Sequence, residues 1–194
     1  MSSTIGVQNI AHTNGTVAAT VDSEGGVYIK NHVLQVKYFQ LTTMVNEAYS
    51  TANTDQAITN FVVNITPKST SSIMKIEAHM MFEWTNLPWN TMWFFYRDTT
   101  KLGNTQASSG SRRIGISPSL PSHGNTASPN NDSTPEFATL TYFDDPQTTS
   151  AINYKLGVNS DATNMLFINR TVGDTDSIDF ERGVSFISVT EIGG

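Results

Sequence analysis

The residues best suited to chemistry are three aspartates in the segment VGDTDSIDF, namely Asp174, Asp176 and Asp179. Carboxylate oxygens are ligands that Ca²⁺ prefers, and several of them close together can hold the ion. Their spacing does not match a complete EF-hand loop, however. Acidic residues are also common in solvated turns, and that interpretation is favoured here. No metal or other cofactor is therefore predicted.

Catalytic residues are not predicted anywhere in the chain. The sequence contains no G-x-S-x-G, no H-E-x-x-H and no Gly-rich phosphate loop that opens a helix. The four histidines are scattered without ligand spacing, and Asp144 and Asp145 precede Pro146 in a sequence typical of a turn. We therefore expect a protein that is not an enzyme.

A segment rich in Ser, Gly, Asn and Pro extends from residue 99 to residue 135. Loops of this length in compact domains are usually functional or mobile. The segment contains Arg112 and Arg113, and His123 follows them. These three are the candidate binding residues of the loop, for an acidic partner or a glycan. The alternative is a solvated pair of arginine charges.

Five large apolar residues follow one another in the segment TMWFFYRD. Neighbouring side chains of a strand point to opposite faces, so both faces of this strand must be covered. The second cover could be a partner subunit, a loop or the N-terminal arm, and the alternative is that the rings fill the domain's own core. We predict an oligomer interface, and its candidate residues are Trp84, Trp89, Trp93, Phe94, Phe95 and Tyr96.

Composition and charge exclude several classes of function. Only 14% of the residues are charged and the formal net charge is -6, so the basic surface that nucleic-acid binding needs is absent. The first ten residues have no basic and apolar pattern of a secretory signal, and no apolar stretch is long enough to span a membrane. We expect neither a nucleic-acid partner nor a membrane partner.

The alternation of apolar and polar residues predicts an all-β protein. The predicted strands occupy residues 33–41, 61–65, 73–84, 91–98, 137–143, 151–158, 165–170 and 184–191, and turn residues separate them. About eight strands indicate an antiparallel, jelly-roll-like β-sandwich. A helical turn near residues 45–49 and a short strand at 112–116 are further possibilities. The predicted domains are an extended β arm at 1–32 and the sandwich at 33–194.

Several blocks of the sequence resemble virion structural proteins of cyanophages and related phages. The opening MSSTIGVQNIAHTNGTVAATVDSEGGVYI is similar to the N-terminal segment of many tail-fibre and head-associated proteins. The blocks VVNITPKSTSSIMKIEA, YFDDPQTTSAINYKLGV, INRTVGDTD and SFISVTEIGG resemble the β-sandwich module that follows that segment. The resemblance covers most of the chain outside the loop at 99–135.

The resemblance implies a virion protein with a jelly-roll-like fold that forms homotrimers. It would be a capsid decoration or cement protein, or a tail-fibre or head-fibre module that binds host surface glycans. Its expected partners are copies of itself and the major capsid protein or other virion proteins. It would be made in the host cytoplasm and located on the particle surface. The candidate capsid contacts in the arm are Ile5, Val7, Ile10, Val17, Val21, Val27 and Ile29.

Overall fold

The computed structural model describes residues 6–85, 88, 90–104, 110–119 and 133–194. These residues form fourteen β-strands and no α-helix. The strands are β1 Asn9–Ala11, β2 Val17–Val21, β3 Val27–Tyr28, β4 Val33–Leu41, β5 Val45–Tyr49, β6 Asp55–Ile65, β7 Ile73–Trp84, β8 Thr91–Arg97, β9 Thr100–Lys101, β10 Ser117–Ser119, β11 Glu136–Asp144, β12 Ile152–Ser160, β13 Asn164–Ile168 and β14 Ser185–Ile192. The chain is an all-β protein, as its sequence predicts.

Eight of the strands form a jelly-roll sandwich. Their antiparallel pairs are nested: β4 pairs with β14, β6 with β12, β7 with β11, and β8 with β10. This order, in which the first strand pairs with the last and the middle two with each other, is that of a jelly roll. The front sheet contains β4, β14, β7 and β11, and the back sheet contains β6, β12, β8 and β10.

The remaining strands of the sandwich extend these two sheets. Strand β13 pairs with the last residues of β7, and β5 pairs with β13 at the edge of the front sheet. In the back sheet, β9 pairs with β8. Residues 45–49 therefore form a strand, and the prediction of a helical turn there is wrong. The ladder to β13 supplies hydrogen bonds that a single helical turn would leave to solvent.

The first three strands form a separate antiparallel sheet, which we call the N-terminal sheet. Asn9 and Thr20 share one of its faces, since their side chains are hydrogen-bonded at 3.2 Å, and Thr20 pairs with Tyr28. The Tyr28 hydroxyl on this face donates to the backbone oxygen of Gly194. Asn31 N–H also donates to Gly193 O at 2.6 Å, which further ties this segment to residues 193–194.

Side chains from the facing surfaces of the two sheets form the core. In strand β7, the even-numbered residues from Met74 to Phe82 lie on one face of the pleat and are buried. Phe82 packs against Trp84 and Trp93 with ring centroids 6.2 and 5.0 Å away. Burying an apolar side chain of this size stabilises the fold by about 2 to 3 kcal/mol.

The aromatic run of β8 is covered on both faces by its own chain. Trp93 and Phe95 belong to the core between the sheets, and Trp84 joins them there. Phe94 points to the outer face of the back sheet and is also fully buried. Of the predicted covers for the second face, a partner subunit, a loop or the N-terminal arm, the structure places segments of the same chain over Phe94. Lys101 of β9 lies over the Phe94 ring, and the backbone at Gly115 passes against Met92.

A buried polar cluster joins the two sheets at one end of the sandwich. Asp144, at the end of β11, accepts two hydrogen bonds of 3.1 Å from the guanidinium of Arg97 in β8. It also accepts a bond of 2.7 Å from the Tyr154 hydroxyl in β12. The side chain of Asp144 is only 8% exposed, so both partners compensate a charge that has little contact with water. Asp144 thus connects the sheets and does more than cap a turn.

Glu83 holds two loops on the outer face of the front sheet. Its carboxylate accepts a bond from Thr134 N–H at 2.8 Å and one from Val172 N–H at 2.6 Å. Glu83 is only 2% exposed, and these backbone donors replace the water that the charge has lost. The contacts fix the segments before β11 and after β13 against β7.

Candidate functional site

The candidate site is an open pocket of about 480 Å³ on the outer face of the back sheet. Phe94 lies beneath it, and Lys101 Nζ lies 4.0 Å from the centre of the Phe94 ring. The Phe94 ring is also in edge contact with Tyr96, with centroids 5.2 Å apart. A Cβ on Gly157 would lie 2.5 Å from Phe94, so only glycine leaves room for these rings on the adjacent strand.

A continuous row of hydrogen bonds crosses the pocket. Arg113 Nε donates to Asn159 Oδ1 at 3.0 Å, and Asn159 Nδ2 donates to Asp55 Oδ1 at 2.8 Å. Lys101 Nζ donates to the same carboxylate at 2.9 and 3.0 Å. Arg113 also donates to Asn53 Oδ1 through its terminal nitrogen. The row brings together residues from β6, β9, β12 and two loops.

The segment that carries the two arginines is held firmly against the sheet. Ile116 N–H donates to Trp93 O at 2.8 Å, and β10 then pairs with β8. Gly115 passes so close to β8 that a Cβ there would lie 2.7 Å from the Trp93 oxygen. The predicted strand at 112–116 is wrong, because the strand that forms here, β10, begins at Ser117. Residues 112–114 instead cross the pocket as irregular backbone.

The electrostatics of the pocket differ from those of the whole chain. The charged side chains that line it, in the part of the chain that the structure describes, are Lys101, Arg112, Arg113 and one carboxylate, Asp55, whereas the whole chain has a net charge of -6. Burial, followed by the negative charge of Asp55, raises the pKa of the neighbouring Tyr96. Both effects favour the neutral form of Tyr96. The excess of positive charge suits an anionic ligand.

The predicted loop residues are partly brought together by the fold. Arg112 and Arg113 both line the pocket, and Arg113 is half-buried. His123 lies outside the described residues. The pocket also uses Asn53, Asp55 and Asn159, which the sequence analysis did not single out. Their only signal in the sequence was polarity at positions next to strand ends, which many other residues share.

The predicted oligomer residues are for the most part unavailable to a partner. Trp84, Trp93, Phe94 and Phe95 are each at most 2% exposed in the isolated chain, and Tyr96 is half-buried. Trp89 lies outside the described residues. The assignment of the four buried rings to an intersubunit surface is corrected, because their own chain removes them from water.

The predicted arm residues are mostly accessible. Val7, Ile10, Val17 and Val27 have 47 to 54% of their surfaces exposed. Val21 and Ile29 are half-buried, and Ile5 lies outside the described residues. Strand alternation and the pairing of Val21 with Val27 place Val17, Val21 and Val27 on the face opposite Tyr28. The apolar face of the N-terminal sheet is thus turned away from the contact with Gly194.

The aspartates of VGDTDSIDF do not converge on a common point. Asp174 accepts hydrogen bonds of 3.0 and 2.9 Å from Arg182 and also lies 3.6 Å from Arg170. Asp179 instead accepts a bond from the Ser177 hydroxyl at 2.9 Å. Among the described residues, no group of three or more acidic or histidine side chains is arranged to hold a metal ion. The described part of the chain also contains no helix that could span a membrane.

The fold and the pocket define a jelly-roll protein with a polar, positively charged pocket on its outer surface. Viral capsid proteins and lectins both use this fold. No family model and no characterised protein matches the sequence.

Among solved structures, the chain is similar to "Structure of infectious bursal disease virus Gt strain", with 11% identity and a TM-score of 0.36 over 86% of this chain and 44% of that one. The Gx strain of the same virus gives 11% identity and a TM-score of 0.35 over 86% and 42%. The "Crystal structure of infectious bursal disease virus VP2 subviral particle" gives 11% identity and a TM-score of 0.32, over 86% of this chain and 43% of that one. The chain spans less than half the length of these proteins. TM-scores this low do not establish a relationship.

Proposed function

We propose that the chain is a non-enzymatic virion structural protein of a phage, most specifically a homotrimeric decoration or cement protein on the capsid. The observation that carries this proposal is the N-terminal sheet, whose exposed valines and Ile10 form an apolar face beside a jelly-roll sandwich. A small sheet gains little stability from apolar side chains that stay in water. Such a face suits attachment to the outer surface of a capsid shell.

Attachment is tested by making the apolar face polar in the full-length chain. Val17→Ser combined with Val27→Ser should leave the melting temperature of the sandwich nearly unchanged, because both side chains are about half exposed. Particles assembled with this variant should carry less of the protein and should lose heat resistance. The measurements are occupancy by cryo-electron microscopy and release of the genome on heating.

The matched control is Ile178→Ser, since Ile178 is fully exposed and lies in a different part of the molecule. It removes a similar apolar side chain and should leave occupancy unchanged. Normal occupancy and heat resistance in the Val17 and Val27 variant would reject the N-terminal sheet as the attachment element.

The second candidate function is a receptor-binding module of a tail fibre or head fibre that recognises host surface glycans. The pocket containing Arg112 and Arg113 favours it, because polar side chains on a rigid sandwich are suited to recognising sugars. The two functions separate experimentally, since loss of the pocket should reduce adsorption to host cells and leave incorporation into particles intact.

A further inference from the structure

The pocket on the back sheet contains an arginine that is held in place without being neutralised. Among the described residues, the only hydrogen bonds that Arg113 donates go to the amide oxygens of Asn159 and Asn53. Amide oxygens orient the guanidinium group but carry no charge, whereas Lys101 is paired with the Asp55 carboxylate. The positive charge of Arg113 therefore remains for a ligand, and its position is already fixed.

The remaining donors of Arg113 have the geometry of a carboxylate site. Its Nε and one terminal nitrogen are engaged by the two asparagines, which leaves the other terminal nitrogen and one further N–H. Guanidinium groups bind carboxylates through two parallel N–H bonds of this kind. Arg113 is half-buried, so the bonds would form in surroundings less polar than bulk water.

The rest of the pocket is suited to hydroxyl groups. Asp55 can accept hydrogen bonds, the two asparagines can accept or donate them, and Lys101 adds a donor. Phe94 is fully buried under Lys101, and none of the described lining residues offers an open ring for a neutral sugar to stack on. Charge and hydrogen bonding must then supply the affinity.

We propose that this pocket binds an acidic saccharide, with Arg113 holding the sugar carboxylate and Asn53, Asp55 and Lys101 contacting its hydroxyls. The inference deepens the receptor-binding function and rests on it. It does not depend on the N-terminal sheet, so attachment to particles and binding of the sugar can fail independently.

The test is titration of the full-length protein with sodium D-glucuronate, followed by calorimetry or by NMR shifts. Glucuronate should bind at least about tenfold more tightly than D-glucose, and this difference should shrink at high salt. Arg113→Gln should abolish the preference for glucuronate. Arg113→Lys keeps the charge but not the paired N–H groups and should weaken binding about tenfold.

Arg182→Gln is the matched control, because it removes the same charge from the distinct cluster around Asp174. It should leave the affinity for glucuronate unchanged. Equal binding of glucuronate and glucose by the unaltered protein would overturn the proposal, whatever the folding of the variants. Displacement of glucuronate by sodium sulfate at equal concentration would show a site for simple anions and would overturn the assignment to a sugar.

Discussion

At the scale of single residues, the stability of the sandwich depends on a few buried polar side chains. Asp144 is nearly inaccessible to water, yet it binds Arg97 and Tyr154 from the opposite sheet. Removing one partner of a buried charge usually costs about 3 to 5 kcal/mol, because the other charge then lacks compensation. The cluster therefore stabilises one particular arrangement of the two sheets.

The Tyr154 hydroxyl makes the stability of the protein dependent on pH in the alkaline range. Burial, and then the hydrogen bond to Asp144, raise the pKa of Tyr154 above its ordinary value near 10.0. Tyr154 keeps its proton in the folded state while the unfolded state loses it, so stability is full below pH 10 and falls as the pH rises. The slope is about 1.4 kcal/mol per pH unit for one such group.

Tyr154→Phe should remove the contribution of Tyr154 to this pH dependence. The stability of the variant should then fall with pH only through other tyrosines with a raised pKa, such as Tyr96. At neutral pH it should cost about 1 to 2 kcal/mol through the lost hydrogen bond. Urea denaturation at pH 8 and at pH 11 measures both effects. Parallel pH profiles for the variant and the unaltered protein would contradict the prediction.

The sequence predicted the arginines of the pocket on the back sheet but not its asparagines, for a physical reason. Arg112 and Arg113 stood out because charges are rare in this chain and these two are adjacent. Asn53 and Asn159 could not be recognised, since they meet Arg113 only through the pairing of β6 with β12. Side chains brought together by distant strands leave no local pattern.

At the scale of elements, the alternation of apolar and polar residues predicts strand boundaries best where one face of a strand is buried and the other is not. Strands β4 and β7 begin and end where the sequence predicts them. Strand β6 begins at Asp55, six residues before the predicted start at Phe61, because its first half carries Thr59 and Asn60 on an exposed edge. Polar residues such as these give no apolar signal, and both lie where a bulge interrupts the pairing of β6 with β12.

Gly157 provides a test of how the back sheet covers the aromatic strand. Gly157→Ala should destabilise the protein by about 1 to 3 kcal/mol, because the new Cβ would overlap the Phe94 and Tyr96 rings. It should also disturb the contact between Phe94 and Lys101. Thermal and urea denaturation measure the loss.

Gly6→Ala is the control for this substitution, since nothing lies within 4 Å of a Cβ at that position. It should change the free energy of unfolding by less than about 0.5 kcal/mol. Equal stability of the two variants would show that the outer side of the aromatic strand is loosely packed and open to a partner.

At the scale of the whole molecule, the surfaces left for association are those that the fold does not cover. The outer aromatic patch on the front sheet comprises Tyr38, His79, Phe137 and Phe186. Tyr38 is 73% exposed, and His79 stacks between Phe137 and Phe186 at 5.0 and 6.1 Å. If the protein forms the proposed homotrimer, this patch is a better candidate for its interface than the buried rings of β8.

Tyr38→Ser combined with Phe186→Ser should convert the proposed trimer into monomers while the fold is retained, because both side chains lie on the exposed face. Sedimentation velocity over a range of concentrations measures the change. Lys37→Ser, on the same strand and also exposed, is the control and should leave the trimer intact. A monomeric unaltered protein at high concentration, or a trimeric variant, would argue against this interface.

The nested pairing of the strands has a consequence for how the protein is made. In the described sheets β4 pairs only with β14, and Val33 is joined to Ile192 across almost the full length of the chain. A ribosome therefore releases the first sandwich strand long before its neighbour has been synthesised. The front sheet can close only after β14 has been synthesised, and folding is expected to be slow, since contacts between distant residues have to form first. When many copies are synthesised at once, the unpaired β4 segments of different chains could associate, and a chaperone would have to prevent this.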